Sequence, residues 1–114
     1  MPTDGDIYET LRQELRRGSL ILAVLAQLRR EHYGYTLRTT LADHGLAIDE
    51  GALYPMLRRL ESQGLLTSQW REENKRNKRF YRLSPDGEAI LARLLDEHRA
   101  LDQSLNAILQ ETGS

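Results

Sequence analysis

The 114-residue chain has no cysteine, only three prolines, 6% aromatic residues and no long apolar run. Without cysteine it can form no disulfide, no thiolate metal site and no cysteine nucleophile. The longest uninterrupted apolar run covers residues 20–26, which is far short of the roughly 18 residues that a membrane span needs. The first ten residues carry three acids where a secretory signal would be basic, so we expect a cytoplasmic protein with no membrane partner.

A large charge excess of either sign is also missing, because the formal net charge is −1. The charges are nevertheless segregated along the chain. Residues 71–82 contain six Lys or Arg and two acids, whereas residues 84–114 contain two Arg and six acids. Since a phosphate backbone responds to local potential, the basic segment is a candidate for binding nucleic acid.

Hydrophobic periodicity predicts two helices in the first third of the chain. The first begins at a cap formed by Asp4 or Asp6 and extends to about residue 17, with a narrow apolar stripe that includes Leu11 and Leu15. Gly18 is expected to interrupt it, and a mainly apolar second helix follows to about residue 31.

Two further helices, over residues 35–43 and 50–63, are joined by a short turn, as in a helix-turn-helix. Asp49 is the expected N-cap of the second of them, residues 46–48 suggest a short strand, and Tyr35 is assigned to the core. Such a motif places the start of its second helix nearest the base edges of DNA. The DNA-contact candidates in these helices are Thr36, Gly51, Ala52, Tyr54, Pro55 and Arg58.

The period then changes to that of a β-hairpin, with strands at 65–71 and 78–83 and a polar loop at 72–77. This basic hairpin would form a wing, in which Lys75, Arg76 and Lys78 neutralise phosphates. Trp70 and Tyr81 are expected to pack the wing against the helices.

Ser84 as N-cap and Pro85 at the first helical position predict a last helix that extends to about residue 110. Its heptad seam predicts packing against another helix, of the same chain or of a partner. His98 interrupts this seam, either as an interface residue that sets the register or as a pH or ligand sensor. The predicted dimerisation residues are Leu11, Leu15, Leu91, Leu94, His98, Leu101, Leu105 and Ile108.

Five stretches occur in one order along residues 15–95: residues 15–20, 33–35, 64–66 and 79–87, and above all the segment EGALYPMLRRLE at 50–61. Together they resemble the PadR family of transcriptional regulators. The resemblance implies a winged-helix domain, a C-terminal dimerisation helix, repression at a two-fold operator and the possibility of a small-molecule effector. Compact members that bind flat drugs use a Trp of the last helix, whereas the single Trp here precedes that helix, so such binding is not expected.

We therefore predict a mainly α fold with a small β-hairpin: a winged helix-turn-helix at 18–83, an N-terminal dimer-packing helix at 1–17 and a dimerisation helix at 84–114. The predicted function is that of a transcriptional repressor that binds a palindromic operator as a homodimer. The alternative is a winged-helix adaptor that binds proteins and not DNA. No catalytic constellation, metal-ligand spacing or cofactor motif is present in the sequence, so we expect neither an enzyme nor a cofactor.

Overall fold

The computed structural model describes Met1 and residues 3–113. In chain order its elements are α1 (Asp4–Gln27), β1 (His32–Tyr33), α2 (Gly34–Asp43), α3 (Glu50–Ser62), β2 (Leu66–Glu73), β3 (Arg76–Leu83) and α4 (Pro85–Gly113). The strands form an antiparallel sheet of order β1-β3-β2. The core joins leucines of all four of these helices to the inner ends of β2 and β3. The fold is thus a winged helix-turn-helix flanked by two long helices.

A single helix replaces the two that the sequence predicts before residue 31. The N-cap of α1 is Thr3, whose hydroxyl accepts a hydrogen bond from the Asp6 N–H at 3.1 Å while the Asp6 carboxylate accepts from the Thr3 N–H at 3.3 Å. The expectation that Asp4 or Asp6 is the cap is therefore wrong, and so is the interruption at Gly18. One glycine costs a helix only about 1 kcal/mol relative to alanine, and the burial of Val24 and Leu25 one to two turns later offsets it.

The helix-turn-helix has the predicted form. Asp49 is the N-cap of α3, and its carboxylate accepts from the Ala52 N–H at 2.8 Å. Residues 46–48 form no strand, which corrects that expectation. The third strand is instead β1, which pairs with the Phe80–Tyr81 segment of β3. A two-residue strand is too short to show alternation of apolar and polar residues, so no sequence pattern predicts it.

The wing is longer and its turn is tighter than predicted. Strands β2 and β3 remain paired out to Glu73 and Arg76, so the expected six-residue loop is a two-residue turn. Both turn residues have positive φ, 55° at Asn74 and 64° at Lys75. This is the pattern of a type I′ turn, whose twist matches that of the flanking strands. The turn therefore carries Lys75 and Arg76 to the far end of the hairpin.

The start of α4 confirms the predicted cap at Ser84. Its hydroxyl accepts from the Gly87 N–H at 2.9 Å and donates to the Gly64 carbonyl at 2.7 Å. Ser84 is buried, and this pair of hydrogen bonds fixes the beginning of α4 to the end of α3.

Candidate nucleic-acid interface

The recognition helix α3 has one buried face and one exposed face. Its leucines Leu53, Leu57 and Leu60 belong to the core, and its exposed face carries a different set of side chains. Four of the DNA-contact candidates lie on that exposed face: Gly51, Ala52, Pro55 and Arg58. The first two have almost no side chain, so the helix backbone can approach a partner closely at this end.

Tyr54 differs from the other candidates on α3, because it is half-buried. It lines a cavity of about 400 Å³ between the recognition helix and the wing, together with Gly34, Arg58 and Lys78. Within the described residues, the Tyr54 hydroxyl has no hydrogen-bond partner. The cavity therefore combines an available hydroxyl with cationic side chains, which is a suitable environment for a phosphate or a base edge.

Helix α2 places its candidate residues differently from the prediction. The Thr36 hydroxyl is engaged inside the domain, where it donates to the Tyr33 carbonyl at 3.0 Å and lies 3.1 Å from His32 Nδ1. Tyr35 is 63% exposed, so its assignment to the core is wrong. Leu37 and Leu41, one turn apart, define the buried face of α2, and Tyr35 lies about 200° around the helix from Leu37.

Half of the six cations in the wing segment are paired within the domain. Arg71 binds both oxygens of Glu31 at 2.5 Å, and Arg79 binds Glu61 at 2.9 Å. Lys78 lies 3.6 Å from a carboxylate oxygen of Glu73, and its ammonium stands 4.4 Å from the ring centre of Tyr33.

The remaining wing cations are Lys75, Arg76 and Arg82, which are exposed and make no ion pair within residues 3–113. The charge that the wing can offer to a partner is therefore about half of what the sequence alone suggests. Lys75 and Arg76 place this available charge at the tip of the wing, whereas Lys78 contacts Glu73 and Tyr33 within the domain.

Trp70 and Tyr81 have different environments although they share one face of the hairpin. Tyr81 is 5% exposed and lies in the core, as predicted, but Trp70 is 64% exposed and does not pack on the helices. In the register Tyr81 faces Ser68, and Trp70 faces Arg79 two residues further out. The alternation is therefore correct, but Trp70 lines the cavity that Tyr54 and Arg58 of α3 also line and is not part of the core.

Three contacts that hold this surface together have no local signal in the sequence. Glu31 and Glu61 are the carboxylates that pair with the wing arginines. Arg38 of α2 donates to Glu50 at the start of α3, with an N–O distance of 2.7 Å. These pairs join residues 12 to 40 positions apart, so spacing arguments do not find them.

A second surface, formed by α1 and α4, is apolar. Most of the predicted dimerisation residues are exposed there, including Leu11, Leu15, Leu94, Leu101, Leu105 and Ile108. A groove of about 460 Å³ between the two helices is lined by several of them and by His98. Leu91 differs, because it is 4% exposed and already belongs to the core of its own chain.

The part of the chain that the structure describes contains neither a metal-ligand cluster nor a membrane-spanning helix. No three His, Asp or Glu side chains among these residues lie close enough together to hold a metal ion. None of the helices described has the length and apolar content needed to cross a membrane.

The order of elements, the exposed recognition helix and the basic hairpin define a winged helix-turn-helix protein. A profile of the transcriptional regulator PadR-like family matches residues 21–93. The chain belongs to this family.

Its relatives include the transcriptional regulator Rv3488 of Mycobacterium tuberculosis, which is 36% identical over 98 residues, or 85% of this chain and 89% of that one. Among solved structures, a PadR family transcriptional regulator from Eggerthella lenta is 41% identical, covers 96% of both chains and superposes with a TM-score of 0.90. A PadR-like transcription factor from Bacteroides fragilis is 28% identical over 87% of this chain and 98% of that one, with a TM-score of 0.74. These proteins are named as regulators and not as enzymes.

Proposed function

We propose that the chain is a transcriptional repressor that acts in the cytoplasm by binding a palindromic operator as a homodimer. The observation that carries the proposal is that Arg58 of the recognition helix and residues of the wing line one cavity, while the tip of the same wing carries two exposed cations, Lys75 and Arg76.

Two kinds of DNA contact follow from this arrangement. The start of α3 enters the major groove, where Gly51 and Ala52 allow close approach and Arg58 pairs with guanine or phosphate. Lys75 and Arg76 neutralise backbone phosphates and add affinity that depends on salt but not on sequence.

A second copy of the chain would cover the apolar surface of α1 and α4. A two-fold dimer would present two recognition helices to half-sites about 34 Å apart, roughly one turn of B-form DNA. A small molecule bound between the dimerisation helices would change the separation of the recognition helices and so release the operator. Repression is the simpler outcome, because a bound dimer blocks polymerase sterically.

The direct test is a binding assay with duplex DNA from upstream of the protein's own gene, repeated over a range of salt concentrations. The variant Lys75→Ala with Arg76→Ala should weaken binding to every duplex and lower the slope of log K against log salt by about two. The matched control removes two arginines from α4, Arg93→Ala with Arg99→Ala, and should leave the slope unchanged. A protein that binds no duplex in a salt-sensitive way would favour the adaptor function instead.

A further inference from the structure

Gly34, the first residue of α2, is buried at a point where its backbone does not require glycine. The glycines with positive φ in the described residues are Gly45 and Gly64, and Gly34 is not among them. An L-residue could therefore adopt the backbone conformation of Gly34, and alanine would favour the helix by about 0.5–1 kcal/mol. The reason for glycine must lie in the space around it.

That space is occupied by Tyr54. A Cβ atom built on Gly34 would lie 2.1 Å from Tyr54 Oη, 2.7 Å from Cζ and 2.8 Å from Cε1, all closer than real Cβ contacts. The backbone of Tyr54 cannot retreat easily, because its neighbours Leu53 and Leu57 are fully buried. Any side chain at position 34 would therefore swing the Tyr54 ring away.

The position that Gly34 allows places the Tyr54 hydroxyl against Gly34, and both residues line the cavity between recognition helix and wing together with Arg58 and Lys78. No group in the described residues forms a hydrogen bond with this hydroxyl, although the ring that carries it is half-buried. We infer that Gly34 is a positioning residue for operator recognition, since its missing side chain seats Tyr54 so that the hydroxyl faces DNA. This inference rests on the proposed function.

A double-mutant cycle on operator affinity tests the inference at constant salt. Gly34→Ala should weaken operator binding roughly tenfold, the loss expected for one hydrogen bond to a charged group. Tyr54→Leu, whose shorter side chain clears the added methyl group, should cause a similar loss, and the double variant should bind no more weakly than Tyr54→Leu alone. Gly5→Ala is the matched control at a helix start, because its Cβ would meet only Thr3 Oγ1 at an ordinary 3.7 Å.

Two further measurements separate positioning from folding. Gly34→Ala should lower the thermal midpoint, because its methyl group meets the Tyr54 ring. Adding Tyr54→Leu should raise the midpoint again, since the steric conflict is then removed. Tyr54→Phe keeps the ring in place and should lose operator affinity with little change in thermal midpoint, so the test does not depend on Gly34→Ala folding well.

The inference is overturned if Gly34→Ala or Tyr54→Phe binds the operator as the unmodified protein does, or if the losses of the two single changes multiply in the double variant. Those results leave the proposed function intact, provided that the unmodified protein binds. Absence of DNA binding by the unmodified protein overturns the proposed function and this inference with it.

Discussion

At the scale of single residues, Lys75 has an unfavourable backbone conformation at a position where its charge is useful. Its φ of 64° lies in the left-handed region, where a residue with a Cβ atom costs roughly 1–2 kcal/mol more than glycine. Asparagine and glycine are the usual residues of such a turn. A lysine there places a cation at the outermost point of the hairpin, which is useful for binding DNA and unfavourable for the turn itself.

We therefore expect Lys75→Gly to change stability and DNA affinity in opposite directions. The free energy of unfolding should rise by about 1 kcal/mol, since the strain in the turn is relieved. Affinity for any duplex should fall, with a decrease of about one in the salt slope. Denaturant unfolding and salt-dependent binding measure the two effects. Lys75→Ala is the control, because it removes the charge and keeps the strain, so it should lose affinity without gaining stability.

At the scale of elements, the wing is held from both of its faces. Arg71 points to one face and reaches Glu31 after α1, while Arg79 points to the other face and reaches Glu61 on α3. Partly exposed ion pairs contribute only about 0–1 kcal/mol each. Their main effect is therefore to fix the angle of the hairpin relative to the recognition helix.

The pair between Glu31 and Arg71 makes the stability of this attachment depend on pH. The hydrogen bond from Arg71 lowers the pKa of the Glu31 carboxyl below its ordinary value of 4.5. A lowered folded-state pKa gives a stabilisation that is present above pH 4.5 and lost as the pH falls through the folded-state value. Unfolding measured from neutral pH to about pH 3 should show a steeper loss in the unmodified protein than in Glu31→Gln. Parallel curves would show that the pair contributes nothing.

At the scale of the whole molecule, the chain is elongated and leaves apolar surface exposed. Its radius of gyration is 17.1 Å, whereas a compact chain of this length has about 13 Å. Large apolar side chains on α1 and α4 remain well exposed, with Leu15 at 78%, Leu101 at 61% and Leu105 at 54%. Contiguous apolar surface of this kind usually marks an interface, and its two helices suit a second copy.

Charges introduced on this surface should separate the copies without unfolding the chain. Leu101→Asp with Leu105→Asp should give a monomer in sedimentation experiments, because two carboxylates from each chain would face an apolar partner. Operator affinity should fall by about 100-fold or more, since the second half-site is no longer bound by the same particle. Gln103→Asp, on another face of α4, should remain dimeric. A double variant that stays dimeric would place the interface elsewhere.

Local sequence patterns were enough to predict the order of the last three helices and the wing, and the caps at Asp49 and Ser84. The helices and their caps depend on interactions between residues at most four apart, and each wing strand shows its own alternation, so periodicity and capping rules find them. The same rules failed at Gly18, where a small local cost was outweighed by burial further along the helix.

Three-dimensional packing determines which cations remain available, how exposed Trp70 is and how little space surrounds Gly34. Arg71 and Glu31 are 40 residues apart, and Arg79 and Glu61 are 18 apart, so their pairing depends on how the helices and strands pack together. Likewise, the Tyr54 ring occupies the space of a side chain at position 34 only because α2 packs beside α3. Contacts between elements are fixed by packing, which a single sequence does not encode in any local pattern.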